Sequence, residues 1–428
     1  MATAMTAIQP VFRVAPTIQN YDWGKVGKHS KVAQFASNAH IPGFNLDDSA
    51  CYAEATYPSF QLWMGTHVKS PSGVVGSPDT LPQTLAANPR LIGDRVSSEF
   101  DTTGGNLPFL FKVLSIGKAL SIQVHPDKAT AAKLHADPNN VYYKDPNHKP
   151  EMALALTPFQ SLCGFMPISS VATYLKIVPE FSNLVPTARK GFEEAAPSEN
   201  EELKKDALKK LFAELMNANV AQVKDKLSQL VSRYQKAVVD AEQKVKDLVL
   251  TLNEQYPGDI GVFCAFMLNH VILEPGEAIF LGAGEPHAYI SGDIMECMAN
   301  SDNVIRAGLT PKPRDIERLL DCLTYKAGPW SNHQIKWTPF CSSDITHSYD
   351  PPIPEFTVLE VKLQRAGTET HDAINGPSIA IATGGSGCVK WAEKSLDLEE
   401  GNVVFIGAGA NIAFHTSSGL TVYRAYVE

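Results

Sequence analysis

The chain has 428 residues, of which 44% are hydrophobic and 19% are charged, and its formal net charge at pH 7 is −9. This length exceeds what one ordinary hydrophobic core needs, so two or three domains are expected. No apolar run is long enough to cross a bilayer, and no basic tract offers the concentrated Lys and Arg that a nucleic-acid surface requires. We therefore expect neither a membrane nor a nucleic-acid partner, while a small anionic ligand stays compatible with the composition.

The cysteines and the first residues bear on the cellular compartment. Seven cysteines are scattered along the chain and form no Cys-x-x-Cys pair, which suits reduced thiols better than a disulfide framework or a thiolate zinc site. The opening stretch MATAMTAIQPVFRVAPT lacks a sustained apolar run behind a basic one, so it does not resemble a secretion signal. These features predict a cytoplasmic protein.

The residue composition along the chain changes from one typical of β-strands to one typical of helices, and then back to one typical of β-strands. Residues 1–165 are dense in Pro, Gly and short β-like runs such as PFLFKVLSI, ALSIQV and MALALT, whereas residues 198–256 contain neither Gly nor Pro. In SENEELKKDALKKLFAELMN, Ser198 precedes Glu201 by three residues, which predicts a capping box. One helical face then carries four apolar residues, and a second helical pattern carries five: Leu208, Leu211, Phe212 and Leu215, then Val223, Leu227, Leu230, Val231 and Tyr234.

β texture returns at Val271 and persists to the end, interrupted by the helix candidate PRDIERLLDCL at 313–323. Two segments of this part, LEPGEAIFLGAGEPHAY (273–289) and LEEGNVVFIGAGANIAF (398–414), align without gaps. Each contains a Gly turn, an apolar strand, a Gly-x-Gly turn and another strand, so we predict two versions of one β unit. Because His287 in the first copy is matched by Ile412 in the second, we expect one active barrel and one degenerate barrel.

Four side chains form a candidate metal set. In SIQVHPDK, Gln123 and His125 are two residues apart, so on a strand they would share a face about 6.6 Å apart. Glu151 opens the apolar run of NHKPEMALAL, and His287 follows a Gly/Pro turn in FLGAGEPHAYI. Imidazole and carboxylate suit Zn²⁺ or another divalent first-row metal, and the Gln carbonyl is an unusual ligand. From spacing alone, these residues fit either a metal site or separate polar residues on a wet face.

Several long stretches closely resemble one family. QNYDWG, LPFLFKVLSIGKALSIQVHPDK, KDPNHKPEMALALTPFQSLCGF and GAGEPHAYISGDIMECMANSDNVIRAGLTPK occur in order over most of residues 18–315, and they are similar to the type I mannose-6-phosphate isomerases (phosphomannose isomerases). That family consists of zinc enzymes of the cupin, or jelly-roll, class. AEATYPSFQLWMGTH departs slightly from its pattern, which leaves the contribution of Glu54 open.

The resemblance implies a mainly β fold with an α insertion: two jelly-roll (cupin) β-barrels plus a helical domain. The expected domains are a catalytic jelly roll formed by residues 1–165 with 258–330, a helical insertion at 166–257, and a C-terminal jelly roll without metal ligands at 331–428. The implied ligands of one Zn²⁺ per chain are Gln123, His125, Glu151 and His287, and the implied active-site arginine is Arg306.

The implied reaction interconverts mannose 6-phosphate and fructose 6-phosphate through a cis-enediol, supplying mannose for GDP-mannose and glycan synthesis. Such an isomerase needs a base for the carbon-bound proton, stabilisation of the enediolate oxygens and a grip on the phosphate. Arg306 suits the anion-stabilising role, although a surface ion pair with Asp302 is the alternative. Lys149 is favoured as the base over Glu296, because Zn²⁺ and Arg306 would both favour its neutral amine. His148 and Asp302 are candidates for proton relay between oxygens.

The phosphate would be bound by Lys312, Lys112 or the hydroxyl of Ser121. Lys112 lies within an apolar strand pattern, so it must reach water or a charge partner. The expected assembly is a monomer that binds a small sugar phosphate. Two other functions compete with the isomerase: an Fe(II)-dependent cupin oxygenase, which would prefer two His and one carboxylate with open positions, and a non-catalytic cupin that binds sugar or regulates.

Overall fold

The computed structural model describes residues 8–39, 41, 60–236 and 240–428, so Glu54 lies outside the described residues. The strands, numbered in chain order, are β1 (Val11–Ala15), β2 (Thr17–Asn20), β3 (Phe60–Met64), β4 (Gly73–Val74), β5 (Phe109–Ile116), β6 (Ile122–Val124), β7 (Glu151–Ala155), β8 (Phe159–Phe165), β9 (Leu268–Leu273), β10 (Ala278–Leu281), β11 (His287–Ala299), β12 (Ile305–Gly308), β13 (Gln334–Ile335), β14 (Thr338–Phe340), β15 (Ser343–Tyr349), β16 (Thr357–Leu363), β17 (Gly367–His371), β18 (Ser378–Trp391), β19 (Lys394–Glu399), β20 (Val403–Ile406) and β21 (Ile412–Tyr426).

Most of the α-helices lie between β8 and β9. In chain order they are α1 (Lys31–Asn38), α2 (Leu81–Ala87), α3 (Asp94–Glu99), α4 (Lys128–Ala136), α5 (Ile168–Ile177), α6 (Pro179–Ser182), α7 (Pro186–Ala195), α8 (Glu201–Met216), α9 (Val220–Lys236), α10 (Gln243–Gln255) and α11 (Ile316–Cys322). A 3₁₀ helix at Ile260–Phe266 leads from α10 into β9. In the part of the chain that is described, no helix combines the length and the apolar character needed to span a membrane.

Strand β11 organises the first sheet system. Its second half pairs with β5 and β7, and its first half pairs with β6 and β8. Between these halves lies a β-bulge near Tyr289, followed by Gly292 at φ +117°, where a Cβ atom would come within 2.6 Å of the Pro158 carbonyl oxygen. A bulge and a glycine let a strand bend out of one sheet and into another. The bend places His287 at the open end of the barrel.

The second sheet is built from the C-terminal strands and from the start of the chain. Its order is β14-β15-β16-β21-β18-β20-β1-β4, with β17 and β19 paired to β21 and β18. Strand β1 runs antiparallel to β20, with Val11 opposite Ile406. Side chains of both sheet systems share one buried core, which contains Phe111 and Met295 from the first system and Phe405 and Tyr423 from the second. The two β units therefore pack face to face.

The two aligned segments adopt the same conformation. Strand β10 corresponds to β20 residue for residue, and β11 and β21 begin at the matched residues His287 and Ile412. The turn glycines agree as well, because Gly276 and Gly401 both have φ +91°, and Gly284 and Gly409 both have φ +76°. Left-handed backbone of this kind favours glycine. The predicted mainly β fold with a helical insertion and two related β units is confirmed.

The helical insertion shares one apolar core with part of the first barrel, including Val124 and Phe165, and the predicted helical faces lie within this core. Of the nine apolar residues predicted on the two helical faces, Val231 is partly buried and the other eight are fully buried. The buried residues are Leu208, Leu211, Phe212, Leu215, Val223, Leu227, Leu230 and Tyr234. The capping box predicted at Ser198 is wrong. Helix α8 begins at Glu201 and is capped by Asn200, whose side-chain oxygen accepts from the N–H groups of Glu202 and Leu203. Asn in the N-cap position satisfies these donors directly, and Ser198 instead accepts from the Asn200 N–H.

Candidate metal centre

Three buried side chains from separate parts of the sequence meet at the open end of the first barrel. His125 follows β6, Glu151 begins β7 and His287 begins β11, and each is at most 1% exposed. The Nε2 atom of His125 lies 3.5 Å from Glu151 Oε1, and the Nε2 atom of His287 lies 3.2 Å from Glu151 Oε2. Their candidate ligand atoms all lie within 4.8 Å of one another.

The tautomers of the two histidines follow from their other ring nitrogens. His125 Nδ1 lies 2.7 Å from the carbonyl oxygen of Asn303, and His287 Nδ1 lies 2.9 Å from that of Glu285. A carbonyl can only accept, so both Nδ1 atoms donate and both Nε2 atoms carry lone pairs in the neutral rings. Neither Nε2 atom makes a hydrogen bond within the described residues.

The charge state of the cluster is set by burial and by Lys149. Burial lowers the pKa of His125 to about 4, and the nearby Lys149 ammonium adds to this, so the ring is neutral at pH 7. Burial opposes ionisation of Glu151, but the neighbouring Lys149 ammonium favours it, and the pKa of the Glu151 carboxyl lies well below its usual range. His125 Nε2 and the Glu151 carboxylate thus face each other without a proton between them, and His287 Nε2 lies beside the other carboxylate oxygen. This donor set fits a divalent first-row cation.

Gln123 lies beside this cluster. It is the middle residue of β6, and its Cα is paired with His287 on β11 and with Arg306 on β12. Its side chain lines the same cavity as Glu151. The structure therefore brings all four residues of the predicted metal set to one end of the barrel.

Asn303 holds the surroundings of the cluster in place. Its carbonyl accepts from His125, and its side-chain amide donates to the backbone oxygens of Asp145 and Asn147, at 2.7 and 2.9 Å. The Asp145 carboxylate in turn accepts from the N–H of Asp302. A partner that orients a ligand histidine fixes both its tautomer and its ring direction. The loop before Glu151 and the segment before β12 are thereby tied to His125.

A cavity of about 540 Å³ opens next to the cluster. Its lining includes all the predicted base, anion-binding and metal-binding residues except the two fully buried histidines, and of the two relay candidates it includes Asp302 but not His148. These lining residues are Lys112, Ser121, Gln123, Lys149, Glu151, Glu296, Asp302, Arg306 and Lys312. A volume of this size accommodates a small molecule such as a sugar phosphate.

Two ion pairs line the cavity, one between Lys149 and Glu151 and one between Lys112 and Glu296. The Lys149 Nζ atom lies 2.6 Å from Glu151 Oε1, and Lys149 is 9% exposed. The Lys112 Nζ atom lies 2.8 Å from Glu296 Oε2, and both side chains are buried. Lys112 also lies 5.1 Å from the centre of the Trp63 ring. The charge partner that a lysine in this apolar strand requires is therefore Glu296, which lies opposite Lys112 across β5 and β11.

Arg306 differs from these residues because its charge has no partner. Its guanidinium makes no hydrogen bond or ion pair with any other residue of the described ranges, and burial alone lowers its pKa. The alternative of a surface ion pair with Asp302 is wrong. Asp302 instead lies 2.8 Å from Lys69 Nζ and 3.6 Å from His67 Nε2. A half-buried guanidinium that lines a cavity and is not paired with a carboxylate is suited to bind an anion.

Three family models describe parts of the chain: the type I phosphomannose isomerase catalytic domain at residues 11–168, its helical insertion domain at 184–268, and its C-terminal region at 349–392. A mannose-6-phosphate isomerase of Cryptococcus neoformans is 46% identical, and the alignment covers 98% of this chain and 99% of the relative. The chain belongs to the type I phosphomannose isomerase family. The prediction of an isomerase, made against an oxygenase and a non-catalytic cupin, is confirmed.

Solved structures of this family have the same fold. A mutant of phosphomannose isomerase from Salmonella typhimurium is 30% identical, with a TM-score of 0.80, and the match covers 98% of this chain and 100% of that one. A mannose 6-phosphate isomerase bound with zinc and yttrium is also 30% identical, with a TM-score of 0.79 and coverage of 98% and 100%. The predicted cupin fold class is confirmed, while the predicted domain boundaries remain a prediction.

The C-terminal β unit also contacts the candidate site of this family member. The Nε2 atom of His148 lies 2.5 Å from Oε1 of Glu355, a residue between β15 and β16 that is 4% exposed. His148 immediately precedes Lys149, and it was predicted only as a candidate for proton relay. The Glu355 carboxylate of the second β unit thus holds the loop of the first β unit that contains His148 and Lys149.

Two residues near the cluster were not predicted. The Tyr289 hydroxyl lies 3.4 Å from Glu151 Oε2, and burial raises the pKa of this phenol well above its usual value. Asn303 binds the Nδ1 of His125 through its carbonyl. Tyr289 could have been found, because it lies two residues after His287 and so projects to the same face of β11. Asn303 could not have been found in this way, because it binds His125 through its backbone carbonyl, a group that every residue type has.

Proposed function

We propose that the chain interconverts mannose 6-phosphate and fructose 6-phosphate through a cis-enediol intermediate, with one Zn²⁺ held by Gln123, His125, Glu151 and His287. The observation that carries this proposal is the pair of buried Nε2 lone pairs facing the Glu151 carboxylate beside a cavity lined with cations. When bound, zinc would supply an electrophilic charge close to the sugar oxygens. A relative's structure contains zinc, which supports this choice of metal.

The chain's own residues provide the proton transfer. Isomerisation moves a proton between C1 and C2, so a base must reach the carbon-bound hydrogen from the cavity. Lys149 is the proposed base, supported by its position on the cavity wall beside Glu151. Glu296 is the second candidate, but its carboxylate is already bound to Lys112. His148 and Asp302 remain proposals for relay, and both are held by partners: His148 by Glu355, and Asp302 by Lys69.

Anion binding is assigned to the cations that remain available. Arg306 would stabilise the negative charge that develops on the enediolate oxygens, because its guanidinium has a planar set of donors and no carboxylate partner within the described residues. Lys312 and Ser121 would bind the phosphate. Lys112 stays a proposal for phosphate binding as well, although its ion pair with Glu296 already compensates its charge.

The proposal extends to the cellular setting: a monomer in the cytoplasm whose reaction supplies mannose for GDP-mannose and glycan synthesis. The dispersed cysteines support a reducing compartment, and those of the described ranges are free: Cys163, Cys264, Cys297, Cys322, Cys341 and Cys388.

Metal removal tests the proposed function. We expect the purified protein to form fructose 6-phosphate from mannose 6-phosphate in a coupled assay, to lose this activity on dialysis against a chelator, and to regain it with Zn²⁺. The reason is that removing the cation leaves a carboxylate and two lone pairs facing each other in a buried site. A zinc-loaded protein that forms no fructose 6-phosphate, or a metal-free protein that keeps full activity, would refute the proposal.

Lys312→Ala tests the phosphate assignment. The exposed Lys312 lines the cavity, so we expect KM for mannose 6-phosphate to rise by about ten-fold, the effect of losing one charge-assisted contact. The activity on free mannose should change little. Lys326→Ala is the matched control, because Lys326 is exposed and follows the same local turn: its N–H donates to Thr324 Oγ1, as that of Lys312 donates to Thr310 Oγ1. Equal effects on both sugars would remove Lys312 from this role.

A further inference from the structure

The end of the helical insertion contacts a segment that leads into the candidate site. Gln255, the last residue of α10, accepts from the Ala119 N–H at 2.8 Å through its side-chain oxygen. The hydroxyl of the next residue, Tyr256, donates to the Ala119 carbonyl oxygen at 2.5 Å. Both backbone groups of Ala119 are therefore bound by α10 and its end, two residues before Ser121.

Asp259 binds a second segment. Its Oδ1 atom accepts from the N–H of Leu309 at 2.8 Å, and its Oδ2 atom accepts from the N–H of Thr310 at 3.2 Å. The same Oδ1 also accepts from the N–H of Gly261, at 2.7 Å. One carboxylate thus joins the start of the 3₁₀ helix to the loop that follows β12, and this loop contains Lys312.

The backbones joined by Asp259 approach each other so closely that a side chain would clash at Gly261 and at Gly308. A Cβ atom on Gly308 would lie 2.6 Å from the Cα of Gly261, and a Cβ atom on Gly261 would lie 2.5 Å from the Leu309 nitrogen. Leu309 itself is buried at φ +52°. A non-glycine residue keeps this left-handed backbone only where its surroundings hold it there. The Asp259 carboxylate, which accepts from the Leu309 N–H, is the group that does so here.

The two bound segments carry the proposed anion-binding residues. The segment containing Ala119 continues to Ser121, and the loop after β12 lies between Arg306 and Lys312. All three line the cavity, as do Tyr256, Leu309 and Thr310. Contacts made by residues 255–259 thus hold both segments that carry the proposed anion-binding residues.

We propose that Asp259 is a positioning residue for substrate phosphate, and that residues 255–259, which the family model of the helical insertion covers, set the geometry of the anion-binding side of the cavity. This inference rests on the proposed function. Asp259 acts through the loop of Leu309 and Thr310. Its own carboxylate would repel the phosphate, so a positioning role and a direct electrostatic role predict opposite changes in affinity.

Asp259→Asn is the test, because the amide keeps the size of the side chain and turns one acceptor into a donor facing the N–H of Thr310. We expect KM for mannose 6-phosphate to rise about ten-fold with kcat changed less than about two-fold, since the loss affects binding and not the reacting atoms. The inhibition constant of inorganic phosphate should rise by a similar factor. A purely structural role would instead lower stability and active fraction without this split.

Glu214→Gln is the matched control within the helical insertion. Its carboxylate also accepts from two backbone N–H groups of another segment, those of Thr187 and Ala188, and it lies outside the cavity lining. It should leave KM and the phosphate inhibition constant unchanged. If Asp259→Asn does not fold, Gln255→Met provides the second variant, with a smaller but parallel rise in both constants expected.

The outcomes separate this inference from the proposed function. An unsubstituted enzyme that forms no fructose 6-phosphate overturns the proposed function itself, and this inference with it. With an active unsubstituted enzyme, unchanged constants in Asp259→Asn overturn the inference alone. Lower constants would assign Asp259 a repulsive electrostatic role and also overturn it. Unchanged constants in a folded Gln255→Met variant, where Asp259→Asn fails to fold, count against it equally.

Discussion

His287→Ala should yield an enzyme that does not retain the proposed zinc, with kcat/KM for mannose 6-phosphate lowered by roughly a thousand-fold or more, because the cation and the charge stabilisation it would supply are lost together. His287 begins β11, is fully buried and faces Glu151, so the alanine removes one of the converging lone pairs. Metal analysis of the purified variant and the coupled assay provide the two measurements.

The control for this variant is His371→Gln. His371 is a buried histidine of the C-terminal β unit, paired in register with Ile412, the counterpart of His287. Its ring nitrogens are bound to Arg424 and Thr346, so its replacement disturbs packing but not the metal set. The zinc content of this variant should equal that of the unsubstituted enzyme. Retention of zinc by His287→Ala, or its loss from His371→Gln, contradicts the assignment of the metal centre.

Lys149→Met should lower kcat by about a hundred- to ten-thousand-fold, the range typical of general-base removal, with a smaller change in KM. The direct readout is exchange of the C2 hydrogen of mannose 6-phosphate with deuterium from solvent, which reports proton abstraction by itself. This exchange should stop in Lys149→Met. Because Lys149 lies 2.6 Å from Glu151, zinc content must be measured in the same preparation to separate a lost base from a lost metal.

Glu296→Gln is the companion variant. The amide keeps the shape of the side chain and leaves Lys112 without its charge partner, so we expect lower stability and a moderate loss of kcat with C2 exchange retained. The assignment of the base reverses if Glu296→Gln stops the exchange while a zinc-loaded Lys149→Met continues it.

The sequence predicted those parts of the fold that are determined by residues close together in the chain. The aligned segments around His287 and Ile412 fold as the same unit because each contains its own turns, strands and glycines. The helix α8 was predicted from its apolar face, and only its cap was misplaced, since Asn200 and Ser198 can both serve as caps and only one residue lies between them. Boundaries of this kind depend on a single hydrogen bond.

Contacts across the barrel could not be predicted in this way. Lys112 and Glu296 are neighbours only because β5 and β11 are paired in one particular register. His148 is bound by Glu355 from the second β unit, and nothing in the sequence around either residue indicates the other. The resemblance to a family supplied the metal set, whereas the partners that hold it, such as Asn303, required the coordinates.

The pairing of β1 with β20 has a consequence for biosynthesis. Roughly 390 residues of chain separate β1 from its antiparallel partner β20, so β1 leaves the ribosome long before β20 is made. Until then the early strand has an open edge, which exposes it to wrong pairing. Closing so large a loop is slow, so this strand pairing forms late in folding. Deleting β1 should therefore harm the yield of native enzyme more than an equal deletion in a surface loop.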